Sequence, residues 1–216
     1  IRLELGYEQP GDTTGDNKYL RAAGALKEWL KSGALRRDDK PAIYYHTIEY
    51  QPPYSAPGTP TKVFKGFLST VELEEFGSGK IYPHENTRAA AKTDRFNLLE
   101  ACRANFSAII SLYSDPQNDV LTLIERSIAS DKPRIDFQDD VGFRQRLWSV
   151  TDPAVLAKVV EIMHTKQLFI ADGHHRYETA CTLRDQIAAA SDGPLPPEHP
   201  ANFVLMMLVS MSDPFF

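Results

Sequence analysis

Several classes of protein are excluded by what this sequence contains little of. Its 216 residues include only two cysteines, too few for a disulfide framework, and a reduced cytoplasmic setting fits them better. The longest apolar run, residues 203–209, is too short to span a bilayer, so no membrane partner is expected. The formal net charge of −5 excludes a strongly basic nucleic-acid coat protein. No collagen-like or low-complexity pattern is present.

What the sequence does contain is the composition of an ordinary globular protein. Hydrophobic residues make up 42% and charged residues 25%, and the length suits one moderate domain or two small ones. Residues 1–5 alternate apolar and polar like the inside of a strand, without an initiating methionine. We therefore expect one continuous fragment of a longer protein. Its two expected parts are an α+β part with a β-hairpin over 1–80, truncated upstream, and a second α+β part over 81–216.

Periodicity and turn residues predict a mixture of helices and strands. Helices are expected over 18–30, 94–102, 120–129, 153–164 and 177–190. Strands are expected over 43–50, 62–73, 108–113, 168–171 and 203–210, with a hairpin over 134–150. Local signals support the helix ends: Gly33 as a C-cap, Thr93 as an N-cap, and Pro153 in a first turn. Since strands and helices alternate only in the second half, we predict an α+β fold with a mixed sheet and flanking helices.

The strongest chemical signal is the run Asp172, Gly173, His174, His175 and Arg176, between a short apolar strand and a helix. Backbone N–H groups at a helix start attract anions, glycine allows close approach, and arginine suits phosphate. The carboxylate can hold Mg²⁺ or orient a histidine. The alternative is a polar helix cap with solvated histidines. Zinc is not expected, because adjacent histidines point in different directions and no second pair follows at ligand spacing.

A second signal lies upstream, in His84 and Glu85 and in the nearby Lys92 and Arg95. A histidine beside a glutamate can act as a general base with an orienting partner. The two basic residues flank the predicted start of a helix, where they would reinforce an anion site. The alternative is a solvated loop and a charged helix start. Residues 105–107 match only a glycosylation sequon and are given no role.

The segment 170–180 resembles the signature of the family catalogued as domain of unknown function 1015. The resemblance continues, in the expected order, through 67–72, 81–87, 94–99, 104–107, 112–116, 146–148 and 199–203. Members are usually longer at both ends, which agrees with a fragment. Members often carry a lysine where this chain has Asn86, so a basic phosphate contact at that position is not implied here.

The turn 172–176 is also similar to a turn of the ParB/sulfiredoxin-like superfamily, in which a helix start holds nucleotide phosphates. This likeness implies a ParB/sulfiredoxin-like element over 168–190. That superfamily includes sulfiredoxins, CTP-binding partition proteins and free-serine kinases. Sulfiredoxin activity needs a cysteine inside the turn, and this chain has none there.

These observations favour a phosphate- or nucleotide-binding enzyme, a phosphotransferase or phosphohydrolase that uses Mg²⁺ with ATP or ADP on a small metabolite such as free serine. Phosphate contacts are expected from Gly173, His174, His175, Arg176, Lys92 and Arg95. Catalytic roles are expected for Asp172, His174, His84 and Glu85, with Asp172 also a Mg²⁺ ligand. One alternative is a non-enzymatic nucleotide-sensing or regulatory module. Another is a ParB-like nucleic-acid-processing domain, which the acidic net charge does not support, and the oligomeric state is left open.

Overall fold

The computed structural model describes residues 3–56, 58–77, 79–85, 89–191 and 193–213. In these ranges the chain forms five α-helices and eight β-strands. The helices are α1 Lys18–Ser32, α2 Ala89–Cys102, α3 Asp119–Ser127, α4 Pro153–Met163 and α5 His174–Ala189. The strands are β1 Ile43–Tyr50, β2 Lys62–Glu72, β3 Ile81–Tyr82, β4 Ile109–Tyr113, β5 Ile135–Gln138, β6 Arg144–Val150, β7 Leu168–Asp172 and β8 Phe203–Ser210.

All eight strands join one mixed sheet in the order β3-β7-β4-β8-β2-β1-β6-β5. The pairs β3–β7 and β4–β8 are parallel, and the other neighbours are antiparallel. Strands β1 and β2 lie between β8 and β6, so strands from both expected parts of the chain share this sheet. The prediction of an α+β fold with a mixed sheet is therefore confirmed.

The core is centred on the middle strands of the sheet. Phe67, Ile109, Tyr113 and Met206 are each at most 1% exposed, and burying a phenylalanine, isoleucine or methionine side chain stabilises the fold by about 1.5–3 kcal/mol. Gly66 lets β2 and β8 approach each other, because a Cβ there would lie 2.8 Å from the carbonyl oxygen of residue 208. The predicted strand over 203–210 is confirmed as a central strand of this core.

Local signals set the ends of two helices, as predicted at Gly33 and Pro153. The Asn17 side chain accepts hydrogen bonds from the N–H groups of Tyr19 and Leu20, both at 3.1 Å, and Gly33 closes α1 with φ of 77°. Asp152 caps α4, and Pro153 occupies its first turn. The signals at Gly33 and Pro153 act on adjacent residues, which is why the pattern alone was sufficient there, whereas the Asn17 cap was not predicted.

Two other helix starts differ from the prediction. Helix α2 begins at Ala89 rather than at residue 94, so Thr93 lies inside it and the N-cap assignment was wrong. Alanine has the highest helix propensity, and the three alanines at 89–91 favour a start at residue 89 rather than 94, more than one turn earlier. Lys92 and Arg95 therefore lie within the helix rather than beside its first residue. Helix α5 begins at His174 instead of residue 177, which places His174, His175 and Arg176 in its first turn.

The predicted strand over 1–5 was wrong for the residues that the structure describes. Leu3 and Glu4 form a turn, and Leu3, 7% exposed, packs with Ala22 of α1 and Leu98 of α2. The apolar and polar alternation of residues 1–5 therefore does not mark a strand. It places one leucine, Leu3, against two helices. This packing brings Glu4 to the end of the sheet discussed below.

Two further sequence expectations concern membranes and cysteines. Among the described helices, none is long and apolar enough to cross a bilayer. Cys102 and Cys181 are free and partly buried. Burial raises the pKa of both thiols, that of Cys181 to about 11, so neither is prepared to act as a thiolate nucleophile.

Candidate functional site

The predicted site residues meet at one end of three neighbouring strands, β3, β7 and β4. Strands β3 and β7 are parallel, so both end there, and β4 begins there because it is antiparallel to β7. His84 follows β3, Asp172 ends β7, and Ser107 precedes β4. The topology thus assembles three separate segments of the chain around the start of α5.

The turn that starts α5 depends on glycine. Gly173 has φ of 100°, in the left-handed region that side chains rarely adopt, and no side chain caps the helix. A Cβ at this position would lie 2.9 Å from Nη2 of Arg176, so the guanidinium rests directly on the glycine. The N–H of Tyr177 already bonds to the Gly173 carbonyl at 3.1 Å. The helix therefore starts at once, and its N-cap residue Gly173 has no side chain that could bond the first N–H groups.

Arg176 is held by three groups around the turn. Its Nη1 donates to Ser107 Oγ at 2.8 Å and to the Ala108 carbonyl at 2.6 Å. Its Nη2 donates to Asp172 Oδ2 at 2.5 Å. The arginine thereby links the start of β4 to the start of α5 and keeps a positive charge at the helix N-terminus.

The two histidines His84 and His174 form a connected pair. The His84 N–H donates to His174 Nε2 at 3.2 Å, and the rings meet edge to face at 4.6 Å between centroids. The His84 Nδ1 atom lies 2.6 Å from the Ile170 carbonyl, which can only accept, so Nδ1 carries a proton. The lone pair of neutral His84 is therefore on Nε2.

His174 is a neutral, buried member of this pair. It is 1% exposed, and burial lowers its pKa below the ordinary histidine value, an effect that the nearby Glu85 carboxylate only partly offsets. Because Nε2 accepts a hydrogen bond, the proton of the neutral ring is on Nδ1. Nδ1 lies 3.1 Å from Glu85 Oε1, yet the atoms are not aligned for a hydrogen bond. The Glu85 carboxylate thus faces His174 rather than its sequence neighbour His84. It places a negative charge close to the buried ring of His174.

An open cleft of about 480 Å³ lies above this turn. Its walls are Glu4, Glu85, Arg95, Ser107, Ala108, Asp172, Gly173, His175 and Arg176. Six of the residues singled out from sequence are therefore brought together. His174 lies next to the cleft through its contact with Glu85, and His84 contacts His174. Lys92 does not line it, and its ammonium group forms an ion pair with Glu178.

Two residues of the cleft were missed by sequence reasoning, Glu4 and Ser107. Ser107 Oγ donates to Glu4 Oε1 at 2.5 Å, and Arg95 Nη1 donates to the same oxygen at 3.1 Å. Two signals were available for the serine: it lies just before a buried strand that borders the turn, and it belongs to the segment 104–107 that resembles the family. For Glu4 there was none, because its place depends on how Leu3 packs.

The electrostatics of the cleft are mixed rather than uniformly positive. Glu4, Glu85 and Asp172 contribute carboxylates, and Arg95 and Arg176 contribute guanidinium groups. In the described part of the chain no three histidine, cysteine or acidic residues are grouped so as to hold a metal by themselves. Such a cleft suits a ligand that carries both signs of charge, or an anion that arrives with a cation.

Comparison with known proteins identifies a family but no individual relative. No curated protein and no solved structure matches the chain. A model of the family described as "Protein of unknown function (DUF1015)" matches residues 1–215. The match covers almost the whole sequence and confirms the resemblance seen in its motifs, so the chain belongs to the DUF1015 family.

Proposed function

We propose that this protein binds nucleotide phosphates at the start of α5 and transfers a phosphoryl group to a small metabolite such as free serine. The observation that carries this proposal is the uncapped helix start at Gly173, with Arg176 fixed beside it in an open polar cleft. A cytoplasmic location belongs to the same proposal, and the free state of both cysteines supports it.

The geometry of the turn supports the proposed phosphate contacts. The first N–H groups of α5 have no side-chain cap, and a helix N-terminus carries roughly half a positive charge. Arg95 and Arg176 add two guanidinium groups to the same cleft. Its volume of about 480 Å³ falls within the range of small-molecule sites.

Magnesium fits this cleft as a partner of the phosphates. Mg²⁺ is typically held by one or two carboxylates together with substrate phosphates, and Asp172 offers an exposed carboxylate beside the turn. Residues Glu4 and Glu85 add negative charge that an incoming nucleotide has to overcome. When bound, Mg²⁺ would supply positive charge that offsets the repulsion between the carboxylates and the phosphates.

The residues after β3 supply the proton acceptor of this proposal. The Ile170 carbonyl fixes the tautomer of His84, which leaves Nε2 basic, and His174 holds the backbone of His84. A hydroxyl substrate bound beside Glu85 would lose its proton to this pair as the phosphoryl group arrives. Most of the rate enhancement is expected from positioning and charge, because phosphoryl transfer needs little covalent help.

Calorimetry with inorganic phosphate, ADP and ATP, each with and without Mg²⁺, tests the binding proposal. Removing a charge-assisted contact with Arg176→Ala is expected to weaken nucleotide binding roughly tenfold to a hundredfold. Arg144→Ala is the matched control, since Arg144 also pairs with an aspartate, Asp136, but at the far edge of the sheet. Thermal unfolding establishes that both variants are folded. Absence of nucleotide and phosphate affinity in the wild-type chain contradicts the proposal.

A turnover assay separates an enzyme from a binding module. Phosphorus NMR of the chain with Mg·ATP and serine is expected to show a phosphomonoester and ADP. Nucleotide binding without any product from a panel of small hydroxyl metabolites would instead assign the protein to a sensing or regulatory role.

A further inference from the structure

The hydroxyl of Ser107 lies between a carboxylate and a guanidinium. Its Oγ donates to Glu4 Oε1 at 2.5 Å and accepts from Arg176 Nη1 at 2.8 Å. A short hydrogen bond to a carboxylate prepares a hydroxyl to lose its proton, and an arginine at the same oxygen favours the negative charge that results. The pair therefore has the arrangement of a nucleophile with its base.

Glu4 is held in place as that base. Arg95 Nη1 donates to its Oε1 at 3.1 Å, and its side chain is 23% exposed. The preceding Leu3 is buried against α1 and α2, which fixes the backbone of the segment. A nucleophile, a base and a third group that orients the base recur wherever a hydroxyl is activated.

The serine also faces the proposed phosphate site. Ser107 and Gly173 line the same cleft, so the hydroxyl and the uncapped start of α5 border one space. Arg176 contacts Ser107 directly, and Arg95 contacts the Glu4 oxygen that Ser107 bonds. A phosphoryl group on Oγ of Ser107 could therefore contact the guanidinium groups of Arg95 and Arg176 after a change of side-chain conformation only.

We propose that Ser107 is the acceptor of a phosphoryl group, with Glu4 as its proton acceptor. The choice of donor rests on the proposed function. Ser107 Oγ forms a bond to the terminal phosphorus of a nucleoside triphosphate, and the bond from that phosphorus to its bridging oxygen breaks. The nucleoside diphosphate leaves with the electron pair, and the hydroxyl proton moves to Glu4 Oε1. The phosphoserine then carries about −1.5 to −2 charges and competes with Glu4 for both arginines.

The experiment incubates the full chain with Mg·ATP, and in parallel with acetyl phosphate, and measures intact mass followed by peptide mapping. One phosphoryl group is expected on the peptide that contains Ser107, and none in Ser107→Ala. Glu4→Gln keeps the shape of the side chain but removes its basicity, so labelling should slow roughly a hundredfold or more. Ser107→Thr retains a hydroxyl and restores labelling. Ser127→Ala is the control, because that serine bonds only a carbonyl of its own helix.

The outcomes distinguish this inference from the proposed function. If the chain binds nucleotide yet neither donor labels Ser107, the acceptor role is wrong and nucleotide binding stands. If acetyl phosphate labels Ser107 in a chain without nucleotide affinity, the acceptor role stands and the nucleotide donor is wrong. Phosphate that persists in Ser107→Ala, or labelling at full rate in Glu4→Gln, overturns the inference.

Discussion

Replacing Gly173 with alanine tests the reasoning about the turn most directly. Gly173 has φ of 100°, and a Cβ there would lie 2.9 Å from Nη2, 3.0 Å from Nε and 3.1 Å from Cζ of Arg176. The first distance is shorter than real Cβ contacts and the other two are tighter than most, so the guanidinium has to shift. The substitution therefore strains the backbone and disturbs the contacts of the arginine at once.

The two effects differ in size and can be separated. A left-handed backbone costs an alanine about 1–2 kcal/mol. Displacing Arg176 weakens its bonds to Ser107 and Asp172, and one hydrogen bond to a charged group contributes about 1.5–3 kcal/mol. For a chain of this size each kcal/mol lowers Tm by about 2–4 °C.

Gly11→Ala is the matched control for this substitution. Gly11 has φ of 95°, and a Cβ there meets nothing within 4 Å, so it carries the backbone cost alone. Urea denaturation of both variants should show a further loss of at least about 1.5 kcal/mol for Gly173→Ala. Calorimetry should show weaker phosphate binding for that variant only. Equal losses of stability, with unchanged phosphate binding, would refute the account of the Gly173–Arg176 contact.

Two further predictions concern buried polar groups near the cleft. Burial lowers the pKa of His174, so the unfolded chain binds a proton at this histidine more readily than the folded chain, and stability should fall as the pH drops below about 6.5. The variant His174→Gln should flatten the dependence of Tm on pH between about 5 and 7. An unchanged slope contradicts a lowered pKa for His174. Tyr177→Phe removes an OH that donates to the Glu74 carbonyl at 2.7 Å and accepts from its N–H at 2.9 Å, so unfolding free energy should fall by about 1–3 kcal/mol. Tyr82→Phe, whose OH bonds only Gln167 at 3.3 Å near the surface, should stay within about 0.5 kcal/mol of wild type by urea denaturation, and similar losses in both variants would argue against the role of Tyr177.

Features set by neighbouring residues were predictable from the sequence. The Gly33 end of α1, the Pro153 start of α4 and the apolar strand β8 all follow from short patterns. The polar run at the end of β7 was recognisable as a candidate site because it places together several polar and charged side chains that are costly to bury. The mixed sheet also followed, since helices and strands alternate in only half of the chain.

Features that depend on distant packing were not predictable. Strand β3 has two residues, too few for a pattern, and it exists because it pairs with β7. The partner of Lys92 is Glu178, on a helix that the sequence does not place beside α2. Glu4 enters the cleft because Leu3 anchors between two helices, and no local signal encodes that contact. The sequence thus indicates which residues have side chains suited to binding or catalysis, whereas packing determines which of these side chains lie together.

The contact between Glu4 and Ser107 also has a consequence for folding kinetics. The two residues are 103 positions apart, and Arg176 is a further 69 positions from Ser107. Because closing loops of this length is entropically costly, we expect the cleft to form after the local helices and the β1–β2 hairpin. During synthesis Glu4 leaves the ribosome long before either partner exists. A cleft that depends on such late contacts is complete only in the fully folded chain. Any activity that the cleft supports is therefore expected only when the chain has finished folding.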